Sequence, residues 1–258
     1  MGVPPLALAA ETVAALAVLT ASIHVPHARI PQPPADPGAA VLQVKEWRSL
    51  VGPSEHAEIP EVTILGGGRV IVPAGQDGAV QRATEYTLTP DRYLYIYRLA
   101  HDAGLAHNQH LSSQVEETDG SLLVVTLRSG GWTYTTTVTS PSSHDDGRRG
   151  RIARFRRALS ALIAPATSAP YRPARYAALA SGGYGTKESQ ASARPWPRGG
   201  DLTAGTRTYV GVCTLLTSVP LESTGTAQWI SGGRILWVTL RPLLPHERTC
   251  ADLDKDTP

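Results

Sequence analysis

The chain has 258 residues, 24 basic against 22 acidic side chains and a formal charge of +2. That is long enough for one large domain or two small ones, and too nearly neutral for a nucleic-acid binder. A hydrophobic content of 41% supports a buried core. Lysine occurs only at Lys45, Lys187 and Lys255, and Ala, Gly and Pro are abundant. This is the usage of a GC-rich genome, so arginine clusters carry less functional weight here.

The first element is an apolar stretch from Leu6 to Ile23, interrupted by Glu11 and about as long as a short membrane span. No lysine or arginine precedes it, so the positive n-region of a signal peptide is missing. Either the true start lies upstream, or the stretch is an uncleaved anchor, or it is an ordinary Ala-rich helix. Export is the expectation carried forward. No lipobox cysteine is present. Residues 24–40 are rich in proline and read as a stiff linker, so a folded body is expected from Val41 onwards.

Glu61–Leu65 and Arg69–Pro73 flank Gly66-Gly67-Gly68 and predict a hairpin. Thr89-Pro90-Asp91 gives a helix N-cap with proline at the first helical position. Tyr93, Ile96, Tyr97, Ala100 and Ala103 follow at helical spacing, and Gly104 closes the helix. A second hairpin, Ser121–Leu127 with Trp132–Thr139, turns at Ser129-Gly130-Gly131. A second helix spans Arg149–Ile163, with Ile152, Phe155, Leu159 and Leu162 on one stripe. The expected fold is α+β: a small antiparallel sheet with two helices, ββαββα-like, over residues 41–165.

Residues 166–207 read as a Pro/Gly/Ser-rich connection with one strand, Tyr171–Ala180. A smaller β-rich subdomain is expected over 208–258, holding the strand Thr208–Cys213 and a hairpin between Trp229 and Trp237 that turns at Gly232-Gly233. Cys213 and Cys250 are the only cysteines. Two cysteines confined to the last fifth of the chain read as a disulfide, which implies an oxidising compartment. The bond would close a loop worth about 4 kcal/mol.

Common catalytic templates are absent: no GxSxG, SxxK, HExxH, P-loop or CxxC. One metal candidate exists. His101 with Asp102 ends the first helix, and His107 and His110 follow, enough for a zinc site with an open position. The competing reading has His101 interacting with the helix dipole while His107 and His110 lie exposed. A serine such as Ser140 or Ser143 with His144 and Asp145 or Asp146 would supply triad groups, but the cluster reads more naturally as a helix N-cap. Glu116 and Glu117 read as solvated. The second helix carries Arg148, Arg149, Arg151, Arg154, Arg156 and Arg157, which could meet an anionic surface or simply face water. Trp132, Trp229 and Trp237 could form a sugar-stacking platform, although residues flanking turns more often pack across strands.

The tail from Trp229 to Cys250, with Trp229-Ile-Ser-Gly-Gly-Arg-Ile-Leu-Trp237 and Arg241-Pro-Leu-Leu-Pro245, resembles the C-terminus of a family of uncharacterised exported actinobacterial proteins. Val62–Ile71, Leu99–Leu105 and the helix around Phe155 are similar too. The resemblance implies an envelope or secreted location and a cysteine pair. Many members of that group begin with a lipoprotein signal, from which this chain departs. No activity transfers with the resemblance.

The expectation is therefore an extracytoplasmic monomer, secreted or anchored by its N-terminal segment, and a non-enzymatic binding or structural module of the cell envelope. It would need no cofactor and no nucleic acid. Its partner would be an envelope component or protein, with an anionic membrane surface as a second candidate. The alternative is a metal-assisted hydrolase using His101, His107 and His110.

Overall fold

Paired glycines set the turns of this fold. A computed structural model of the protein describes residues 30–48, 57–112, 120–142, 145–182, 193–198, 200–219 and 228–254. Gly130 and Gly131 have φ of 58° and 85°, and Gly232 and Gly233 have 56° and 73°. Left-handed backbone at both central positions is what a tight two-residue hairpin requires, and glycine adopts it without a Cβ penalty. The first of these turns joins β6 (Ser121–Ser129) to β7 (Trp132–Thr139). The second joins β13 (Gln228–Ser231) to β14 (Arg234–Pro242). Gly66–Gly68 instead form a 3-10 turn between β2 (Val62–Leu65) and β3 (Arg69–Asp77), which pair as expected.

The strands do not form a small sheet. Among the described residues, fourteen strands make one mixed sheet, with β1 (Ala40–Arg48), β4 (Val80–Thr87) and β9 (Tyr176–Gly182) in interior positions. The expected ββαββα body followed by a separate stapled hairpin subdomain is corrected by this sheet. β1 lies between β2 and β6, and β4 carries β3 on one side and β14, in parallel at Leu240↔Val80, on the other. The C-terminal strands thus continue the N-terminal ones. The order runs β11 (Thr206–Thr208)-β12 (Gly211–Leu216)-β9-β14-β4-β3-β2-β1-β6-β7-β5 (Gln109–Leu111). β5 pairs with β7, and β8 (Thr167–Pro170) with β4. β10 (Arg194–Pro195) pairs with β13. The single strand expected at Thr208–Cys213 is a hairpin, β11 (Thr206–Thr208) and β12 (Gly211–Leu216).

Both helices lie on one face. In α1 (Pro90–Asp102) the Thr89 side chain accepts from the Arg92 amide, proline follows the cap, and Tyr93, Ile96, Tyr97 and Ala100 are buried. In α2 (Gly147–Ile163) the buried stripe is Ile152, Phe155, Leu159 and Ile163, with Leu162 half-buried beside it. These side chains share a core with Leu42, Val44, Ile64, Val70, Leu123, Val125 and Leu127. The segment before β1 is packed as well. Ile30 joins that core, the Tyr93 hydroxyl donates to the Pro34 carbonyl (2.8 Å), and Ala39 is buried.

On the opposite face, the chain after β14 folds back over the sheet. Leu244 packs with Ile59, Leu65, Ile71 and Ala83, and Leu243 and Cys250 pack with Ala177, Leu179 and Cys213. The Cys213–Cys250 disulfide is present, with its Cα atoms 5.9 Å apart. No helix among the described residues is long and apolar enough to cross a membrane.

Candidate functional site

Strand register builds a polar surface on the face away from the helices. Gln43↔Thr126 and Thr126↔Thr135 are direct cross-strand partners on β1, β6 and β7, and Arg128↔Thr133 is the next pair. Partners share a face, so these five side chains form one patch. The returning C-terminal segment supplies the opposite wall through His246 and Asp252. The result is an open groove of about 440 Å³.

The wall is held rigidly. Arg241 and Glu247 form a bidentate ion pair at 2.7 and 2.8 Å, and the Leu244 amide donates a third bond to the Glu247 carboxylate at 2.7 Å. Burial works against the Glu247 charge, but Arg241 outweighs it and holds the carboxyl below its usual range. The Tyr171 hydroxyl donates to the Leu243 carbonyl (2.8 Å), and burial pushes that phenol up to about 12. Arg175 donates to the Arg248 carbonyl, and the Tyr209 amide to Asp254. Asp252 accepts from the amides of Arg248 and Thr249 at 2.8 and 2.7 Å, which fixes its carboxylate at the groove rim. Gln43 Nε2 lies 3.0 Å from His246 Nε2. With the amide as donor, the ring accepts at Nε2 and carries its proton on Nδ1. The floor and the wall are thereby joined.

The groove offers donors and acceptors: an exposed guanidinium, threonine hydroxyls, an amide, an imidazole and a carboxylate. This is chemistry for orienting a polar ligand. None of these groups was singled out by motif. The Thr/Arg alternation on β6 and β7 was visible as strand pattern, whereas nothing local marks His246 or Asp252.

The histidines expected to hold metal are placed apart in role. His101 Nε2 is 3.0 Å from Ser129 Oγ, which also receives the Tyr97 hydroxyl at 2.6 Å, and its ring packs on Tyr97 at 4.9 Å. Burial lowers its pKa, with Asp102 pulling the other way and His107 reinforcing the drop. His107 and His110 are exposed, the latter on β5. Among the described residues, no three His, Cys, Asp or Glu side chains are grouped to hold a metal ion. Of the triad candidates, Asp145 pairs with Arg149 and accepts the Ser142 amide, and Asp146 occupies the α2 N-cap position without a side-chain capping bond. Ser143, His144, Glu116 and Glu117 lie outside the described residues.

The six helix arginines divide. Arg149 donates to the carbonyls of Leu111, Thr139 and Ser140. Arg156 bridges Glu46 and Glu61, and despite burial those bonds raise its pKa. Arg148, Arg151, Arg154 and Arg157 are exposed. The tryptophans do not form a common platform. Trp229 is buried edge-on against Trp196 at 5.4 Å, and five strands separate Trp237 from Trp132 in the sheet.

Compared with known proteins, the chain matches no family model, no curated protein and no solved structure.

Proposed function

We propose that this protein is an extracytoplasmic, non-enzymatic binding module of the cell envelope, and that it holds a polar ligand in the groove between the β1–β6–β7 face and the C-terminal segment. The observation that carries the reading is the groove itself. It is lined by hydrogen-bonding side chains whose wall is pinned by a buried ion pair and a disulfide. A pre-formed site loses less entropy on binding than one that must be ordered. The buried cysteine pair supports an oxidising location.

An NMR titration of the isotopically labelled protein with soluble envelope fragments, muropeptides and cell-wall polysaccharide, tests the reading. Saturable shifts confined to Thr126, Arg128, Thr133 and Thr135, abolished by Arg128→Ala, are expected. Absence of shifts with every fragment, or cleavage of a fragment seen by mass spectrometry, contradicts it.

A further inference from the structure

The helical layer presents a second surface, away from the groove. On α1, Asp91, Tyr95, Arg98 and Asp102 fall three and four residues apart and form its outer stripe, opposite the buried Tyr93, Ile96, Tyr97 and Ala100. On α2, Arg148, Arg151, Arg154 and Arg157 are exposed. Among the described residues none of these four, nor Arg98, takes part in an ion pair. Five exposed arginines against Asp91, Asp102 and the exposed Asp146 at the start of α2 leave the layer positive.

Two of the four exposed aromatics among the described residues sit on the same side, while Tyr209 and Trp237 do not. Ser129 and Trp132 are register partners. The Ser129 hydroxyl is bonded by Tyr97 and His101 of α1, so Trp132 also leaves the sheet on the helix side. Trp132 is 72% exposed and Tyr95 51%. Nothing in packing requires a tryptophan at so open a site.

The chain reaches the body on this side too. Ile30 packs into the helix-face core, and a Cβ built on Gly130 would lie 3.5 Å from the Pro31 ring. Residues 24–30 separate this point from the end of the apolar stretch at Ile23. Even fully extended they span no more than about 25 Å.

We infer that the helical layer is the face this protein lays on an anionic lipid bilayer, with Trp132 and Tyr95 at headgroup level and the exposed arginines over the lipid phosphates. Tryptophan and tyrosine favour the membrane–water interface because one end is apolar and the other polar. Arginines add electrostatic attraction within a Debye length of the surface. The strength of such binding grows with the apolar area buried at the interface and with the attraction to anionic lipid. A second copy of the chain would set one positive layer against another, which disfavours self-association through this face. The inference shares the extracytoplasmic location with the reading above and does not depend on the groove.

The test uses the full chain with phosphatidylglycerol–phosphatidylcholine vesicles carrying brominated acyl chains, which quench nearby tryptophan. Quenching is expected at low salt and should fall as salt rises. Trp132→Phe should remove most of it while the chain still floats with the vesicles. Arg151→Glu with Arg154→Glu should reduce the Trp132-dependent quenching by about ten-fold or more, with unchanged circular dichroism. Equal quenching of the parent and Trp132→Phe overturns the inference, as does indifference to salt and to the charge reversals. Binding to a soluble polyanion without lipid quenching also overturns it and assigns the face to a polymer. A chain found reduced in the cytoplasm would contradict the export reading while leaving the vesicle result standing, so the two failures are distinguishable.

Discussion

Glu247 turns back six residues to clasp the Arg241 guanidinium with both carboxylate oxygens, and each side chain of the pair is only 5% exposed. This closure converts the end of β14 into the wall of the groove. Removing one partner leaves an uncompensated buried charge, so Glu247→Gln should cost about 3–5 kcal/mol of unfolding free energy. The double variant Arg241→Met/Glu247→Leu should recover much of that loss. Urea unfolding of the three proteins measures both effects.

Acid sensitivity follows from the same carboxyl. Glu247 and Glu46 have folded-state pKa values below the ordinary 4.5, the first through Arg241 and the second through Arg156 and Ser121, in both cases against the effect of burial. The stability they contribute is complete above that value and is lost as pH falls through the folded values. His101 is also shifted down, from 6.5, by burial. Its contribution is likewise present above 6.5 and declines as pH falls from there. A thermal-midpoint profile should show a shallow loss beginning below pH 6.5 that His101→Gln removes, then a steeper one below 4.5 that Glu247→Gln flattens.

The disulfide ties β12 to the 3-10 turn Cys250–Asp254 across 37 residues of chain. Cys213→Ala with Cys250→Ala should lower stability by about 4 kcal/mol. Hydrogen exchange should then rise first at residues 243–254, which would keep only the Arg241–Glu247 pair, single hydrogen bonds such as Tyr171 to Leu243 and Arg175 to Arg248, and the packing of Leu243 and Leu244.

Gly66 records how closely the N-terminal arm approaches. A Cβ at this position would lie 2.0 Å from the Asp36 carbonyl oxygen, which cannot yield without moving the arm. Gly66→Ala should cost about 1–3 kcal/mol and free residues 30–39, detected as faster amide exchange there. Unchanged exchange would mean that the arm contributes little to the fold.

Much of the local structure was legible in the sequence. Gly130-Gly131 and Gly232-Gly233 marked hairpins because such a turn needs positive φ at both central positions, which glycine adopts freely, and Thr89-Pro90 with Gly104 bounded α1. The sheet was not legible. β1 alternates Leu42, Val44 and Glu46 with Gln43, Lys45 and Trp47, and its polar residues hide a central strand. Its Glu46 is accommodated because Arg156 arrives from α2 and the Ser121 hydroxyl donates from β6. β9 is built on Ala177, Ala178 and Ala180, residues of low strand propensity that fit because β12 and β14 crowd both sides. The groove escaped for a simpler reason: Gln43 and His246 meet across 203 residues, and no local spacing announces such a pairing.

The intact mass, under non-reducing conditions, of the protein recovered from its native host's medium, membranes and cytoplasm reads both the export and the disulfide at once. The expected result is a chain outside the cytoplasm whose mass is lower than the thiol form by the two hydrogens lost on forming Cys213–Cys250. A reduced chain found in the cytoplasm would contradict it.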